Sequence, residues 1–208
     1  MAAVTVTRHP LLLHKLAVLR DRATAPPLFR AMVRDLTHLL LYEALADLAV
    51  EPATVETPLG PCPGHRLCER FGVVPILRAG LGMADAVLEL LPAAEVWHLG
   101  LYRDHETLQP VTYYNKLPPG PAVDVALVVD PMLATGGSAV AAVDLVRRWG
   151  ARRVRYVGLI AAPEGVRTLT TAHPDVPLFL AAVDSHLNEN GYIVPGLGDA
   201  GDRQFATA

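Results

Sequence analysis

The stretch Val125-Ala126-Leu127-Val128-Val129-Asp130-Pro131-Met132-Leu133-Ala134-Thr135-Gly136-Gly137-Ser138 decides how this chain reads. Val125 to Val129 is an unbroken apolar run of the length of a buried strand. One acid, Asp130, ends it. Small residues follow, and a helix is expected from about Ser138 to Trp149, with Gly150 as its C-cap. A strand that feeds a helix through such a loop sets a cup of backbone N–H groups at the C-terminal edge of a sheet. That cup suits a phosphate. Gly136 and Gly137 allow close approach, and Thr135 and Ser138 add hydroxyl donors. The acid before the cup suits sugar hydroxyls, so a phosphorylated sugar is the expected ligand. The competing reading is a tight strand-to-helix connection with Asp130 as its cap. Neither the glycine pattern of a dinucleotide turn nor the lysine pattern of a mononucleotide P-loop is present.

Outward from this stretch the chain alternates strands and helices. Leu28 to Ala49 is the strongest helical signal, with Leu28, Met32, Leu36, Leu39 and Leu40 at helical period and Pro52 as its stop. Pro58 to Gly64 reads as a loop. Phe71 to Leu77 is an expected strand, followed by a helix through Leu91. Val96 to Tyr102 and Val111 to Tyr114 are strand-like and flank a polar segment, which predicts a flap or hairpin. Val154 to Ile160, Pro163 to Ala172 and Pro177 to Val183 continue as strand, helix, strand. This rhythm predicts an α/β fold with a mostly parallel central sheet and helices on both faces.

A chain of 208 residues and 22.3 kDa, 51% hydrophobic, can bury one substantial core, and one domain over residues 1–208 is expected. The net charge of −3 and the lack of a long basic run argue against non-specific nucleic-acid binding. The cysteines, Cys62 and Cys68, make no disulfide framework. The Leu11-Leu12-Leu13 run is too short for a membrane span, and no signal-like segment opens the chain, so a cytoplasmic location is expected. Cys62, His65 and Cys68 are three soft ligands at unusual spacing, for which an ordinary loop is the preferred reading. His9 and His14 are expected in packing or N-terminal hydrogen bonds, and Trp97 and Trp149 in the core or an interface.

Four segments carry a resemblance. They are Pro75-Ile76-Leu77-Arg78-Ala79-Gly80-Leu81-Gly82, Gly100-Leu101-Tyr102-Arg103-Asp104, Asp130 to Ser138, and Asn188 through Arg203. In this order, the chain resembles the uracil phosphoribosyltransferase family of the type I phosphoribosyltransferase fold from His9 to its end. The resemblance implies a flexible hairpin loop and a C-terminal base-binding hood, with residues 184–208 as the uracil-binding segment. It implies the reaction of uracil with 5-phosphoribosyl 1-diphosphate (PRPP), giving UMP and diphosphate, with magnesium. It also implies a homodimer or higher homo-oligomer, and GTP activates some members. An RNA-binding pyrimidine regulator of the same fold is the alternative.

By the same resemblance, Asp130 holds the ribose 2′- and 3′-hydroxyls, and Ala134, Thr135, Gly136, Gly137 and Ser138 form the 5′-phosphate loop. Pro131, Met132 and Leu133 complete the PRPP-binding stretch. Pro131 stands where many phosphoribosyltransferases carry a second acid, which favours a ribose clamp over a proton-abstracting base. Arg78 is a diphosphate-binding arginine, and the Leu77–Arg78 bond is expected to be cis. Arg103 and Asp104 belong to a loop that folds over diphosphate. His105 replaces an acid often found there, and Gln109 stands where an acid or glutamine is familiar. Asp199 lies near the sugar diphosphate and the metal-bound water, with no direct protein ligand to metal assigned. Backbone at Tyr192, Ile193, Gly198, Asp199 and Ala200 reads uracil. Arg78, Arg103, Asp130 and Asp199 make up the expected catalytic set.

Overall fold

The computed structural model describes residues 3–103, 110–115 and 123–207, of which 99–103 and 110–115 are described by backbone alone. The chain begins with strand β1 (Val4–Val6) and helices α1 (Pro10–Arg20) and α2 (Pro26–Ala44). Strands β2 (Val50–Thr57), β3 (Gly60–Leu67) and β4 (Phe71–Pro75) precede α3 (Leu81–Leu90). Strands β5 (Glu95–Val96), β6 (Leu99–Arg103), β7 (Pro110–Asn115), β8 (Val125–Val129) and β9 (Met132–Leu133) lead to α4 (Gly137–Trp149). Next come β10 (Arg153–Ala161), α5 (Pro163–Ala172) and β11 (Leu178–Val183). The tail holds β12 (His186–Leu187), β13 (Ile193–Val194) and α6 (Ala200–Phe205).

The central sheet has the order β1-β11-β10-β8-β4-β5, with β9 also on β10, and its pairings are parallel. A parallel sheet buries both faces, and β8 shows how. Val125, Leu127 and Val129 pack into one apolar cluster with α1, α2 and α3. Ala126 and Val128 point the other way, into a cluster with α4 and α5. Helices therefore cover both faces, as the strand–helix rhythm predicts.

Helix α2 departs from its expected bounds. It runs from Pro26 to Ala44 and stops well before Pro52, which lies inside β2. Its buried stripe is Phe29, Met32, Val33, Leu36, Leu40 and Leu41, while Leu28 is exposed and Leu39 half-buried. The face is rotated because Phe29 and Val33, at i and i+4, outweigh Leu28. Each large side chain buried this way contributes about 1.5–3 kcal/mol.

The expected loop at Pro58–Gly64 is instead the turn and start of an antiparallel ribbon, β2 with β3, which also holds Cys62 and His65. Prolines survive in it because each strand of an isolated pair has a free edge, where a missing N–H costs nothing. The expected hairpin is present as β6 paired with β7. Trp97 and Trp149 pack edge to face, 4.3 Å between ring centres. His9 is the N-cap of α1 and accepts from Leu11 N–H at 3.2 Å.

Candidate active site

Strands β4 and β8 are neighbours, yet their helices leave to opposite faces. Helix α3 packs with α1 and α2, and α4 packs with α5. Two parallel strands that diverge this way open a crevice beyond their C-terminal ends, where ligands bind in open α/β sheets. The structure has a cleft there of about 260 Å³, lined by Ile76, Leu77, Arg78, Ala79, Asp130, Met132, Ala134, Ser138, Asp199 and Gly201. A smaller recess of about 70 Å³ adjoins it, formed by Asp130, Met132, Leu133, Ala134, Thr135, Gly136, Ser138 and Ala139. Arg78, Asp130, the phosphate-loop residues and Asp199 therefore meet, although they are far apart in the chain.

Asp130 follows the last residue of β8. Its carboxylate accepts from Met132 N–H at 3.4 Å. The residue is half-exposed at the cleft, but its carboxyl group sits deep among protein atoms. Burial pushes that carboxyl up to about 7, against the Met132 bond, and the nearby Asp199 charge adds to the rise. Tyr156 is fully buried below, with its hydroxyl donating to the Asp130 main-chain carbonyl at 3.4 Å.

Helix α4 begins at Gly137 with Gly136 as N-cap and no side-chain cap bond. Its first-turn N–H groups are the donors that an anion would take. Pro131 lies behind the recess: its carbonyl accepts from Leu159 N–H at 3.2 Å and Ile160 N–H at 3.0 Å. Leu133 is buried and its carbonyl accepts from Ala162 N–H at 2.9 Å. These two residues hold the loop to the sheet, and Met132 to Gly136 with Ser138 line the open space.

Gly165 in α5 is a support that the motif reading missed. A Cβ there would lie 2.4 Å from the Ala134 carbonyl and 2.5 Å from the Leu133 carbonyl. The helix backbone lies directly against the phosphate loop. The only sequence signal was a glycine within the first turn of a helix, which calls for a packing reason.

The Leu77–Arg78 peptide is cis, as the resemblance implies. The Arg78 guanidinium pairs with Asp202 at 3.0 Å and lies over the Phe205 ring at 5.9 Å. The Thr207 and Arg78 side chains hold the Asp202 carboxyl below its usual range. Asp199 caps α6 and accepts from Asp202 N–H at 2.9 Å. Arg103 ends β6, and Asp104, His105 and Gln109 lie outside the described residues.

Of the residues expected to read the base, Asp199 lines the cleft, whereas Tyr192, Ile193, Gly198 and Ala200 are not among its lining residues. Tyr192 is exposed, and its backbone exchanges hydrogen bonds with Asn188: Asn188 N–H to the Tyr192 carbonyl at 2.8 Å, and Tyr192 N–H to Asn188 Oδ1 at 2.9 Å. Ile193 is buried in β13, and Ala200 is the buried first residue of α6. Gly198 has φ +77°, and a Cβ there would touch only Arg203 Cδ, at 3.6 Å. Gln204, buried, donates to the Ala79 carbonyl at 2.9 Å and joins α6 to the turn after β4. Arg203 donates to the Leu19 carbonyl at 2.9 Å and the Leu197 carbonyl at 2.8 Å, and its guanidinium stacks 4.4 Å from the Phe29 ring centre. Neither role was read from the sequence, because both depend on partners remote in the chain.

The fold and cleft define a type I phosphoribosyltransferase. A hypoxanthine phosphoribosyltransferase from Staphylococcus aureus shares the fold, with TM-score 0.52 at 10% identity and 74% of each chain covered. The family profile described as Uracil phosphoribosyltransferase matches residues 6–207, and the chain belongs to that family. A uracil phosphoribosyltransferase of Roseiflexus castenholzii is 63% identical over 207 residues, the full length of both proteins. A solved Aquifex aeolicus protein is 38% identical, with TM-score 0.91 and 99% of each chain covered.

Proposed function

We propose that the chain transfers the phosphoribosyl group of PRPP to uracil, forming UMP and diphosphate. The observation that carries this is the cleft in which Asp130, the open N-terminus of α4, Arg78 and Asp199 converge. Membership of the family supports uracil as the acceptor. The RNA-binding alternative gains no support from the relatives.

In this reading the α4 N-terminus binds the 5′-phosphate, and Asp130 accepts hydrogen bonds from the ribose hydroxyls. Arg78 and Arg103 pair with the diphosphate, whose departure builds positive charge at the anomeric carbon. The uracil nitrogen attacks the opposite face, inverting the α donor to a β nucleotide. No covalent nucleophile from the protein is needed, and orientation supplies much of the acceleration. Tail backbone reads the alternating donors and acceptors of uracil, and cytosine reverses that pattern at its amino group.

The donor set suits magnesium. Asp130 and Asp199 are close enough for one charge to act on the other, and among the described residues no group of three or more His, Cys, Asp or Glu forms a closed cage. Magnesium takes one or two carboxylates together with substrate phosphates and water. When bound, it neutralises charge on the diphosphate. Asp199 would act on it through water.

By resemblance, the chain works as one domain and as a homodimer or larger homo-oligomer in the cytoplasm, with GTP as a candidate activator. Light scattering and a GTP titration test those features. No helix among the described residues is long and apolar enough to cross a membrane. The central test mixes protein, magnesium and PRPP with each free base and separates the products. UMP from uracil with little CMP from cytosine is expected; equal use of purines, or no nucleotide, overturns the assignment.

A further inference from the structure

The tail reaches the cleft only after a sharp path through the cis peptide Val194–Pro195 and Gly196. Gly196 is gripped at both ends of its own backbone. Its N–H donates to Asp184 Oδ2 at 2.9 Å, and its carbonyl accepts from Arg20 Nη1 at 2.7 Å. The two side chains also pair with each other through both carboxylate oxygens, Nη1 to Oδ2 at 2.7 Å and Nη2 to Oδ1 at 2.5 Å. The Asp184 side chain is 5% exposed and that of Arg20 23%. Arg20 closes α1, and Asp184 stands between β11 and β12, where its N–H donates to the Ala161 carbonyl at 2.7 Å. One ion pair thus joins the first helix, the central sheet and the tail loop.

The position of Gly196 gives the grip its consequence. A Cβ on it would lie 2.1 Å from the Ile193 carbonyl, so its backbone rests on that group. It stands between Tyr192–Ile193 and Gly198–Ala200, the two backbone stretches assigned above to uracil. Backbone recognition works only if the donors and acceptors of both stretches keep a fixed spacing, since no side chain can adjust to recover a lost bond. A bidentate guanidinium–carboxylate pair fixes direction as well as distance, and lysine cannot reproduce the fork.

We propose that Arg20 and Asp184 are positioning residues for the uracil pocket, which they act on through the Gly196 peptide. This role rests on the reading that the tail backbone contacts uracil. The test uses full-length Arg20→Lys and Asp184→Asn, each shown to be folded, and varies the two substrates separately. Uracil KM should rise roughly tenfold or more in both, while PRPP KM and kcat stay within about threefold. Amide exchange across residues 193–198 should quicken. Equal rises in both KM values overturn the proposal, as does an unchanged uracil KM. Failure of both variants to fold also overturns it, in favour of a purely structural pair. If wild-type protein turned over no uracil, the pocket assignment itself would fail, and quickened exchange would mark only a structural clamp.

Discussion

On the proposed reading, the 5′-phosphate and ribose end of the cleft comes from one unbroken stretch, Asp130 to Ser138, at the edge of a doubly covered sheet. The proposed base end comes from a tail whose ties reach back to Arg20, Leu19, Phe29 and Ala79. At the first end, local chain geometry creates the donors, and neighbours such as Gly165 need only leave room. At the second, the local chain supplies the donors but remote side chains set where they stand. The difference teaches where each end is vulnerable. Crowding damages the first, and loss of a remote tie damages the second.

The sharpest way to break this contrast is Gly165→Val. Its branched side chain has no space against the Leu133 and Ala134 carbonyls. Overpacking of about 2–3 kcal/mol at the loop predicts roughly a hundredfold loss of PRPP affinity. Calorimetry on folded protein checks it, and an affinity within about threefold of wild type would show that α5 does not shape the loop.

Asp130→Asn should cost roughly tenfold in PRPP affinity at pH 8, where the carboxyl is ionised, because a charge-assisted acceptor for ribose is then lost. If a folded variant binds PRPP normally, the ribose role belongs elsewhere. Gly198→Ala should raise uracil KM several-fold with little change for PRPP. Its Cβ has space, so crowding is not the cause; a non-glycine residue at φ +77° costs about 1–2 kcal/mol. An equal effect on both substrates would erase the separation between the two ends.

The remaining effect is on stability rather than on either substrate. The Asp130 carboxyl is raised from 3.8 to about 7, so the folded protein holds its proton more tightly than the unfolded chain. The resulting stabilisation is fully present below the unfolded value and is lost as pH rises through about 7. The Asn variant lacks that loss. Its melting temperature relative to wild type should therefore rise by roughly 5–10 °C between pH 5 and pH 8. A constant difference across that range would show that the carboxyl is not held neutral.

The same contrast explains what could be read in advance. The alternation of β8, α4, β10, α5 and β11 is local hydrophobic pattern, so the parallel sheet and the strand-to-helix connection at Asp130–Ser138 were legible. Strand β1 is only Val4 to Val6, too short to carry a period. Ribbon β2–β3 was hidden because proline and glycine signal turns in a single sequence, although a two-stranded ribbon tolerates them. The tail residues were assigned to the base through resemblance alone, and the ties made by Arg20, Asp184, Arg203 and Gln204 were not read at all. Their roles exist only once segments from opposite ends of the chain have met.

That meeting also has an order in time. A growing polypeptide emerges with α1 and α2 long before Asp184, Gly196 and Arg203 are made. Domains tend to fold from the N-terminal side as they are synthesised. The phosphate-binding half can then be assembled on the ribosome while α1 still lacks its C-terminal partners. On the proposed reading, a nascent chain halted before residue 184 would carry the cup for phosphate without the segment that chooses the base, so selectivity would follow phosphate binding in time.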